Sequence, residues 1–439
     1  MSELTIGLVV LALTILVLAS GTPIAFGLGL VAVMSLLLFE GPGGLMGMGE
    51  VFFSGLDDFT LVSIPMFVLM GAAIAVSRAG SDLYEALDRW LYRVPGGLVI
   101  SNLGACALFA ALTGSSPATC AAIGKMGIPE MRRRGFSDEI ATGSIAAGGT
   151  LGILIPPSIT LILYGIATET SIGRLFLAGV IPGLMLTALF MLWTWFSVRR
   201  TGGGMAAPGL HYTLKDKLAA LPRVLPFLAI VVAVVVALYG GIATPSEAAG
   251  VGAFACVALV MLVYGMTRMT DLWPILRDTT RESVMILLII AGSILYGYML
   301  TNLFLTQALA GWVAGLDVNR WVLLGLINLL LLAAGCFLPP AAIILMTTPI
   351  LLPIITGAGF DPIWFGIIMT INMEVGLITP PVGLNLYVIN GIAPDVPLKK
   401  VLMGSLPYCL LMILAIVILS IFPGIATFLP DLLMGPAVG

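Results

Sequence analysis

Apolar stretches close to 20 residues long, the length of a membrane-crossing helix, recur throughout the chain. They fall at 5–20, 22–39, 59–78, 173–198, 223–240, 243–265, 282–301 and 400–422, with further apolar segments between them. So many in one chain predict an all-α, polytopic membrane protein. Composition agrees, since 60% of the 439 residues are hydrophobic and 9% charged, outside the soluble globular range. The opening "MSELTIGLVV" has no basic n-region, so a cleaved signal peptide is not expected. Without a G-x-x-x-x-G-K-[ST] loop the chain is not expected to hydrolyse nucleotide, and without a basic, aromatic-interleaved domain no nucleic-acid partner is expected. No H-E-x-x-H, Gly-x-Gly-Asp or Ser–His pair occurs in the spans, which argues against an intramembrane enzyme. The five cysteines (Cys106, Cys120, Cys256, Cys336, Cys409) sit singly in apolar segments and read as small core fillers. His211 reads as a solvated loop residue.

Two segments do not read as simple crossings. Residues 96–134 carry "TGSSPATC" in their middle, and 320–357 carry "AAGCFLPPAA". Read as re-entrant hairpins, they leave ten crossings. With the N-terminus outside, 17 of the 19 lysines and arginines then lie on the inner side, leaving only Arg174 and Arg320 outside. Were 96–113 a full crossing, Arg132, Arg133 and Arg134 would sit opposite Arg89 and Arg93. The positive-inside rule therefore favours hairpins, with both termini periplasmic.

The chain also repeats itself. At a shift of 222, Thr22-Pro23 matches Thr244-Pro245, Trp90 matches Trp312 and Pro117 matches Pro339. At 224, Gly135-Phe136 matches Gly359-Phe360, Gly152 matches Gly376 and Pro156-Pro157 matches Pro380-Pro381. Five crossings per half is odd, so the halves, 1–215 and 216–439, are expected to be inverted repeats. Each half places an interfacial arm helix before its hairpin, at 80–94 and 303–317. In the first, Leu83, Tyr84, Leu87, Trp90, Leu91 and Val94 share a face, with Asp82, Glu85, Asp88 and Arg89 mostly off it.

After each hairpin comes a segment too long for one straight span, 137–168 with "GGTLGILIPPS" and 361–392 with "NMEVGLITPPVGLN". A Pro-Pro pair cannot continue a helix but can begin one, so unwound stretches are expected at 150–155 and 374–379. Irregular backbone at membrane depth is tolerated where it lines a cavity, and paired interruptions in two repeats point to a transporter's binding site. Free carbonyls at the breaks suit a small hard cation. Helix N-termini after Pro117, Pro156, Pro339 and Pro380 suit an anion. The candidate solute contacts are Ser116, Pro117, Thr150, Pro156, Pro339, Glu374 and Asn385, with Asn372 also flanking the second break. Glu374 is the one carboxylate deep in a span, and three roles stay open: tuning the cation site, taking a proton, or pairing with a buried donor. Lys125 is expected to reach toward the cytoplasm, and Glu247 to serve the helix start after "ATPSE".

With "LTGSSPATCAAIGKMGIPEM", "GTLGILIPPSITLILYGIATETSIGRLFLAGVIPGL", "YGGIATPSEAAGVGA" and "NMEVGLITPPVGLNLYV", the chain resembles the large membrane subunit of tripartite ATP-independent periplasmic (TRAP) transporters, the DctM type. The resemblance runs over residues 5 to 430 or so and implies a Na⁺-driven elevator in the bacterial inner membrane that imports organic anions. It implies two partners: a periplasmic solute-binding protein and a small four-helix membrane subunit. The latter is expected as a separate chain, because this sequence starts directly at its first span. Carried over, the first Na⁺ site is Thr113, Ser115 and Ser116 with Gly152, Ile155 and Pro157. The second is Gly335, Gly376, Thr379 and Val382, and many contacts in both are main-chain. About two Na⁺ ions are implied per solute, each inward charge gaining roughly 2.3 kcal/mol per 100 mV of membrane potential. The break motifs are worded most like C4-dicarboxylate members. The alternative is a Na⁺/dicarboxylate symporter of related architecture that needs no binding protein.

Overall fold

The structure, a computed structural model, describes residues 2–201, 212–315 and 318–435, so His211 and the end of the second arm segment lie outside the described residues. Every regular element among the described residues is helical. The chain starts with α1 (Glu3–Ala19) and α2 (Ile24–Phe39), then a short α3 (Met48–Leu56) and α4 (Ser63–Val76), reached through a 3₁₀ turn at Phe59–Val62. Next come the arm helix α5 (Ala79–Leu91), a helical hairpin of α6 (Gly97–Thr113) and α7 (Ser116–Arg133), and a broken helix of α8 (Asp138–Gly148) and α9 (Ile159–Thr168). The long helices α10 (Ile172–Thr201), α11 (Leu214–Tyr239), α12 (Pro245–Tyr264) and α13 (Met269–Asn302) follow. A second succession closes the fold: arm α14 (Leu305–Gly315), hairpin α15 (Arg320–Gly335) and α16 (Pro340–Gly357), broken helix α17 (Pro362–Leu377) and α18 (Leu384–Ile392), then α19 (Leu398–Ile421) and a short α20 (Gly424–Met434).

Seven helical stretches among the described residues are long and apolar enough to cross a membrane, and shorter apolar helices include both hairpin ascents, α6 and α15. Local chemistry sets the helix starts. Ser137 accepts from the Ile140 N–H at α8, and Asp361 from the Trp364 N–H at α17. Thr244 and Glu247 form a reciprocal capping box at α12, so Glu247 serves the helix start as expected. One buried cluster runs through both hairpins and both broken helices. A smaller one joins α1 and α2 to α13 and the start of α14, where Gly292 lets α13 lie against the backbone of Ala25.

Several expectations change. The crossing placed at 282–301 belongs to a helix that begins at Met269, so its polar lead-in is continuous with the span. The second break does not lie at 374–379: α17 continues to Leu377, and the non-helical link is 378–383. The first break is a 3₁₀ turn at Gly149–Ile153 followed by irregular chain to Ser158. Neither Pro-Pro pair starts a helix. Both lie inside the links, each joined by a cis bond, and the next helices begin at Ile159, capped by Ser158, and at Leu384, after Gly383. A proline ring removes an N–H and crowds the preceding turn, so its first effect is to end the incoming helix. At the hairpins the helices do start at the expected prolines: Pro117 lies in the first turn of α7, and α16 begins directly after Pro339. Asp88, placed off the apolar face of the first arm, is instead buried.

Candidate functional site

The first hairpin turns in two residues. Gly114 adopts φ 61°, a left-handed conformation glycine takes without a Cβ penalty, and its N–H donates to Ala110 O at 2.7 Å. The tip is buried within protein. Thr113 and Thr119 hydroxyls are 3.2 Å apart, Thr119 Oγ1 donates to Ser115 O at 2.9 Å, and Ser116 is fully buried. The first break lies against this hairpin. Gly152 packs so closely on Ala110 that a Cβ there would overlap it, and a Cβ on Gly114 would meet Ile159, the first residue of α9, at 3.2 Å. From the far side, Gly71 of α4 leaves room for the Thr113 backbone, 2.7 Å from where its own Cβ would be. Thr113, Ser115, Ser116 and Gly152 thus gather on one tip-and-break pair. Pro156 and Pro157 are buried in the same link, with Ile155 half-buried against Gly183. Thr150 is buried, donating to Ala147 O at 2.6 Å and lying 3.7 Å from Met412 Sδ.

The second pair is built alike but sits closer to the surface. Gly335 and Gly376 bring the backbones of α15 and α17 into contact, and the Val382 N–H donates to Cys336 O at 3.3 Å. Gly335, Gly376, Thr379 and Val382 are therefore neighbours. Thr379 Oγ1 donates to Val375 O at 2.6 Å and lies 3.6 Å from Cys409 Sγ. Val382 is 39% exposed and meets the hairpin through its backbone N–H, while Pro339 is half-buried.

A contact between the pairs was not visible in the sequence. Ser116 Oγ, on the first tip, donates to Glu374 Oε2 at 2.6 Å, although the residues are 258 apart in the chain. Asn385, at the start of α18, donates from Nδ2 to Ala146 O at 3.2 Å. Both side chains are buried. Asn372 is not part of this arrangement. It bonds the backbone and side chain of Asn328 on α15, at 3.0 and 2.7 Å, and lines a separate groove of about 570 Å³ with Trp321, Leu324 and Ile413. Pro117 follows Ser116 in the first turn of α7 and is half-buried.

At the hairpin's base, exposed Lys125 lines a polar pocket of about 330 Å³ with Arg132 and Asp395. Arg132 Nη2 lies 2.9 Å from Asp395, and its guanidinium holds that carboxyl below the usual carboxylate range. The site's chemistry is one of backbone and hydroxyl oxygens gathered at two breaks, with a single buried carboxylate between them. Among the described residues no group of three or more His, Cys, Asp or Glu is placed to hold a metal ion.

The family described as "Tripartite ATP-independent periplasmic transporter, DctM component" matches residues 11–425. The C4-dicarboxylate TRAP transporter large permease protein DctM of Pseudomonas aeruginosa is 38% identical over 92% of this chain and 93% of its own. The isethionate TRAP transporter permease protein DctMQ of Oleidesulfovibrio alaskensis is 33% identical over 94% of this chain, which spans 64% of that longer protein. Other relatives are named for sialic acid and for ectoine. Among solved structures, the Alcanivorax borkumensis YdaH transporter is similar with a TM-score of 0.69, covering 94% of this chain and 98% of that one, at 16% identity. That likeness concerns the fold alone.

Proposed function

The chain belongs to the DctM family of TRAP transporter large permeases, and from that premise we propose that it is a Na⁺-coupled, elevator-type importer of a carboxylate-bearing solute. It is a transport permease and not an enzyme, a multi-pass membrane protein of a bacterial TRAP system. Such a system includes a periplasmic binding protein and a small subunit. The Oleidesulfovibrio alaskensis relative is named DctMQ, and this chain spans 64% of its length; we propose the small membrane subunit and the binding protein as this chain's partners. We place the chain in the inner membrane with both termini periplasmic, on the lysine and arginine distribution. The halves 1–215 and 216–439 are proposed as inverted repeats, supported by their shared succession of arm, hairpin and broken helix.

The observation that carries the function is the docking of each hairpin tip on the break that follows it in sequence. Thr113, Ser115 and Ser116 with Gly152, Ile155 and Pro157 form one proposed Na⁺ site, and Gly335, Gly376, Thr379 and Val382 the other. The solute sits between them, near Ser116, Pro117, Pro156, Pro339, Glu374 and Asn385. Thr150 belongs to the same proposed set, its hydroxyl donating to Ala147 O and its lone pairs left to accept. Helix N-termini and the bound cations together draw the carboxylate. Loaded hairpins and broken helices then move as one body past a scaffold that includes α1, α2, α13 and the arms. With relatives named for several different solutes, a C4-dicarboxylate is the proposed solute on the wording of the two break motifs.

The test is Na⁺-dependent uptake by the complete system in proteoliposomes. Ser116→Ala and Thr379→Ala should each raise the Na⁺ concentration for half-maximal uptake by about tenfold, the scale of one lost polar contact worth ~1.4 kcal/mol. Wild-type Na⁺ dependence in both variants would remove the site assignment. Uptake that needs no binding protein would establish the self-sufficient symporter instead.

A further inference from the structure

Where the first arm meets the ends of α10 and α11, positive charge outruns the carboxylates available to it. Arg93 follows α5, Arg199 and Arg200 lie in the last turn of α10, and Lys217 lies in the first turn of α11. Among the described residues none of these four has a carboxylate partner, and each lies over an aromatic ring instead. Lys217 Nζ is 5.5 Å from the centre of the Trp90 ring and 5.2 Å from that of Tyr92. Arg93 lies 5.4 Å from the Tyr92 ring centre and donates from Nε to its hydroxyl at 2.7 Å. Arg199 is 5.2 Å from the Trp195 ring and Arg200 4.3 Å from that of Phe196. The nearby carboxylates are engaged. Glu85 pairs with Arg89 and lies 3.6 Å from Arg223, while Asp216 accepts from the Thr213 N–H and hydroxyl in the capping box of α11. Residues 202–211, between α10 and α11, include no Asp or Glu.

The rings gather these cations into one surface. Tyr212 packs edge-on against Tyr92, centroids 5.4 Å apart, and Arg89 lies 5.9 Å from its ring centre. Arg89 also donates from Nη1 to Asp216 O at 2.8 Å, which fixes the arm on α11. The end of α10 reaches the same place, since a Cβ on Gly96, four residues past Tyr92, would lie 3.3 Å from Val198. Both α10 and α11 are long and apolar enough to span a membrane, and the cluster sits where one ends and the other starts. That is headgroup depth, where Trp and Tyr concentrate and basic clusters meet anionic lipid. Trp90, Phe196 and Leu218 are exposed beside the cations, so apolar surface adjoins the positive groups. A ring holds an exposed cation only weakly, and it leaves N–H groups of Arg and Lys to bond an anion.

Resting on the inner-side placement proposed above, we propose that the arm α5 and the ends of α10 and α11 bind an anionic phospholipid of the inner leaflet. The arginines and Lys217 bond the phosphate oxygens, and the exposed Phe196 and Leu218 meet the acyl chains. Free inorganic phosphate shares the charged half of this chemistry, but only a lipid also covers the apolar half. The site bears on transport because α5 also carries Asp88, which holds Arg134 at the base of the first hairpin. A lipid that ties α5 to α10 and α11 keeps that footing in place.

The experiment is thermal unfolding of the purified membrane complex in phosphatidylcholine with rising fractions of phosphatidylglycerol. It compares wild type, Arg93→Gln/Lys217→Gln, and Arg268→Gln/Arg281→Gln, which removes the same charge from exposed positions at α13. Phosphatidylglycerol should raise the unfolding temperature of wild type and of the α13 variant alike. In Arg93→Gln/Lys217→Gln its binding should weaken about 30-fold, on the scale of 1 kcal/mol for each cation near the surface. Equal shifts in all three proteins would reduce the effect to general attraction and overturn the site. So would a wild type indifferent to phosphatidylglycerol, the result expected if another subunit covers the cluster. A shift reproduced by potassium phosphate alone would assign the cluster to a free anion and overturn the lipid. Should the double variant not fold, Arg93→Gln at its exposed position should weaken binding about 5-fold, and no change there would overturn the site. Labelling of Lys399→Cys by a membrane-impermeant maleimide, against native cysteines that are all buried, reports separately on the inner-side placement, so the two failures are distinguishable.

Discussion

Alanine at Gly376 is expected to abolish Na⁺-driven uptake, while alanine at Gly335, its partner across the contact, leaves uptake close to wild type. The two glycines face each other, but the contact is lopsided. A Cβ on Gly376 would lie 2.5 Å from the carbonyl oxygen and 2.7 Å from the Cα of Gly335, distances that only backbone movement relieves. A Cβ on Gly335 would meet its nearest neighbour, the Gly376 Cα, at 3.4 Å, an ordinary van der Waals contact. Overpacking a well-fitted contact costs about 1–3 kcal/mol, or about 5- to 150-fold, and here no side chain can rotate aside to soften it. The Gly376 variant pushes the second tip from its break and loses the Val382 to Cys336 hydrogen bond that closes the proposed second cation site. Uptake at saturating Na⁺, with the amount of folded permease measured alongside, checks this. Equal losses in both variants, or none in either, would show that the α15–α17 contact does not shape transport.

That asymmetry was beyond the sequence, although the glycines were not. The matched positions of Gly152 and Gly376, and the Pro-Pro pairs after them, marked where helices had to break. Such interruptions inside apolar runs are unambiguous, because glycine and proline act on their own backbone. The exact placement of the second break was less legible. Glu374, Val375 and Gly376 remain helical because Pro380 interferes only with the turn before it, and the Ile378 and Thr379 N–H groups still reach the carbonyls of Val375 and Gly376, both at 3.2 Å. Contacts that depend on two distant residues left no trace. The periodicity of α5 put Asp88 with the polar residues, and only the fold brings Arg134 to it from 46 positions away. Ser116 and Glu374 each looked functional alone, but their bond joins two halves of the chain, and no spacing rule reaches that far. Thr150 and Asn372 show what the sequence leaves out: a polar side chain near a break has backbone or amide partners of its own that compete with a ligand.

The Asp88–Arg134 pair carries the second large effect, on stability. Arg134 donates from Nη1 and Nη2 to the two oxygens of Asp88 at 3.0 and 2.8 Å, and from Nε to Glu130 at 3.0 Å. The side chains are only 13% and 6% exposed, so salt in the medium screens the pair little. Its position is mechanical, because Asp88 belongs to the arm α5 and Arg134 ends the returning helix of the first hairpin. Asp88→Ala leaves a buried guanidinium with one carboxylate instead of two, and removing one partner of a buried pair costs about 3–5 kcal/mol. Arg134→Met strands the buried Asp88 and should cost a similar amount. The double variant Asp88→Leu/Arg134→Met removes both charges and is expected to regain most of the loss, since an apolar pair of similar volume is often as stable as the ion pair it replaces. Thermal unfolding of the purified membrane complex, with and without high salt, reads all three. If Asp88→Ala unfolds at the wild-type temperature, the arm is not anchored to the hairpin base through this pair. If the double variant is stable but its uptake is slow, the charge pair also serves the moving hairpin, by fixing where its base stands on the arm.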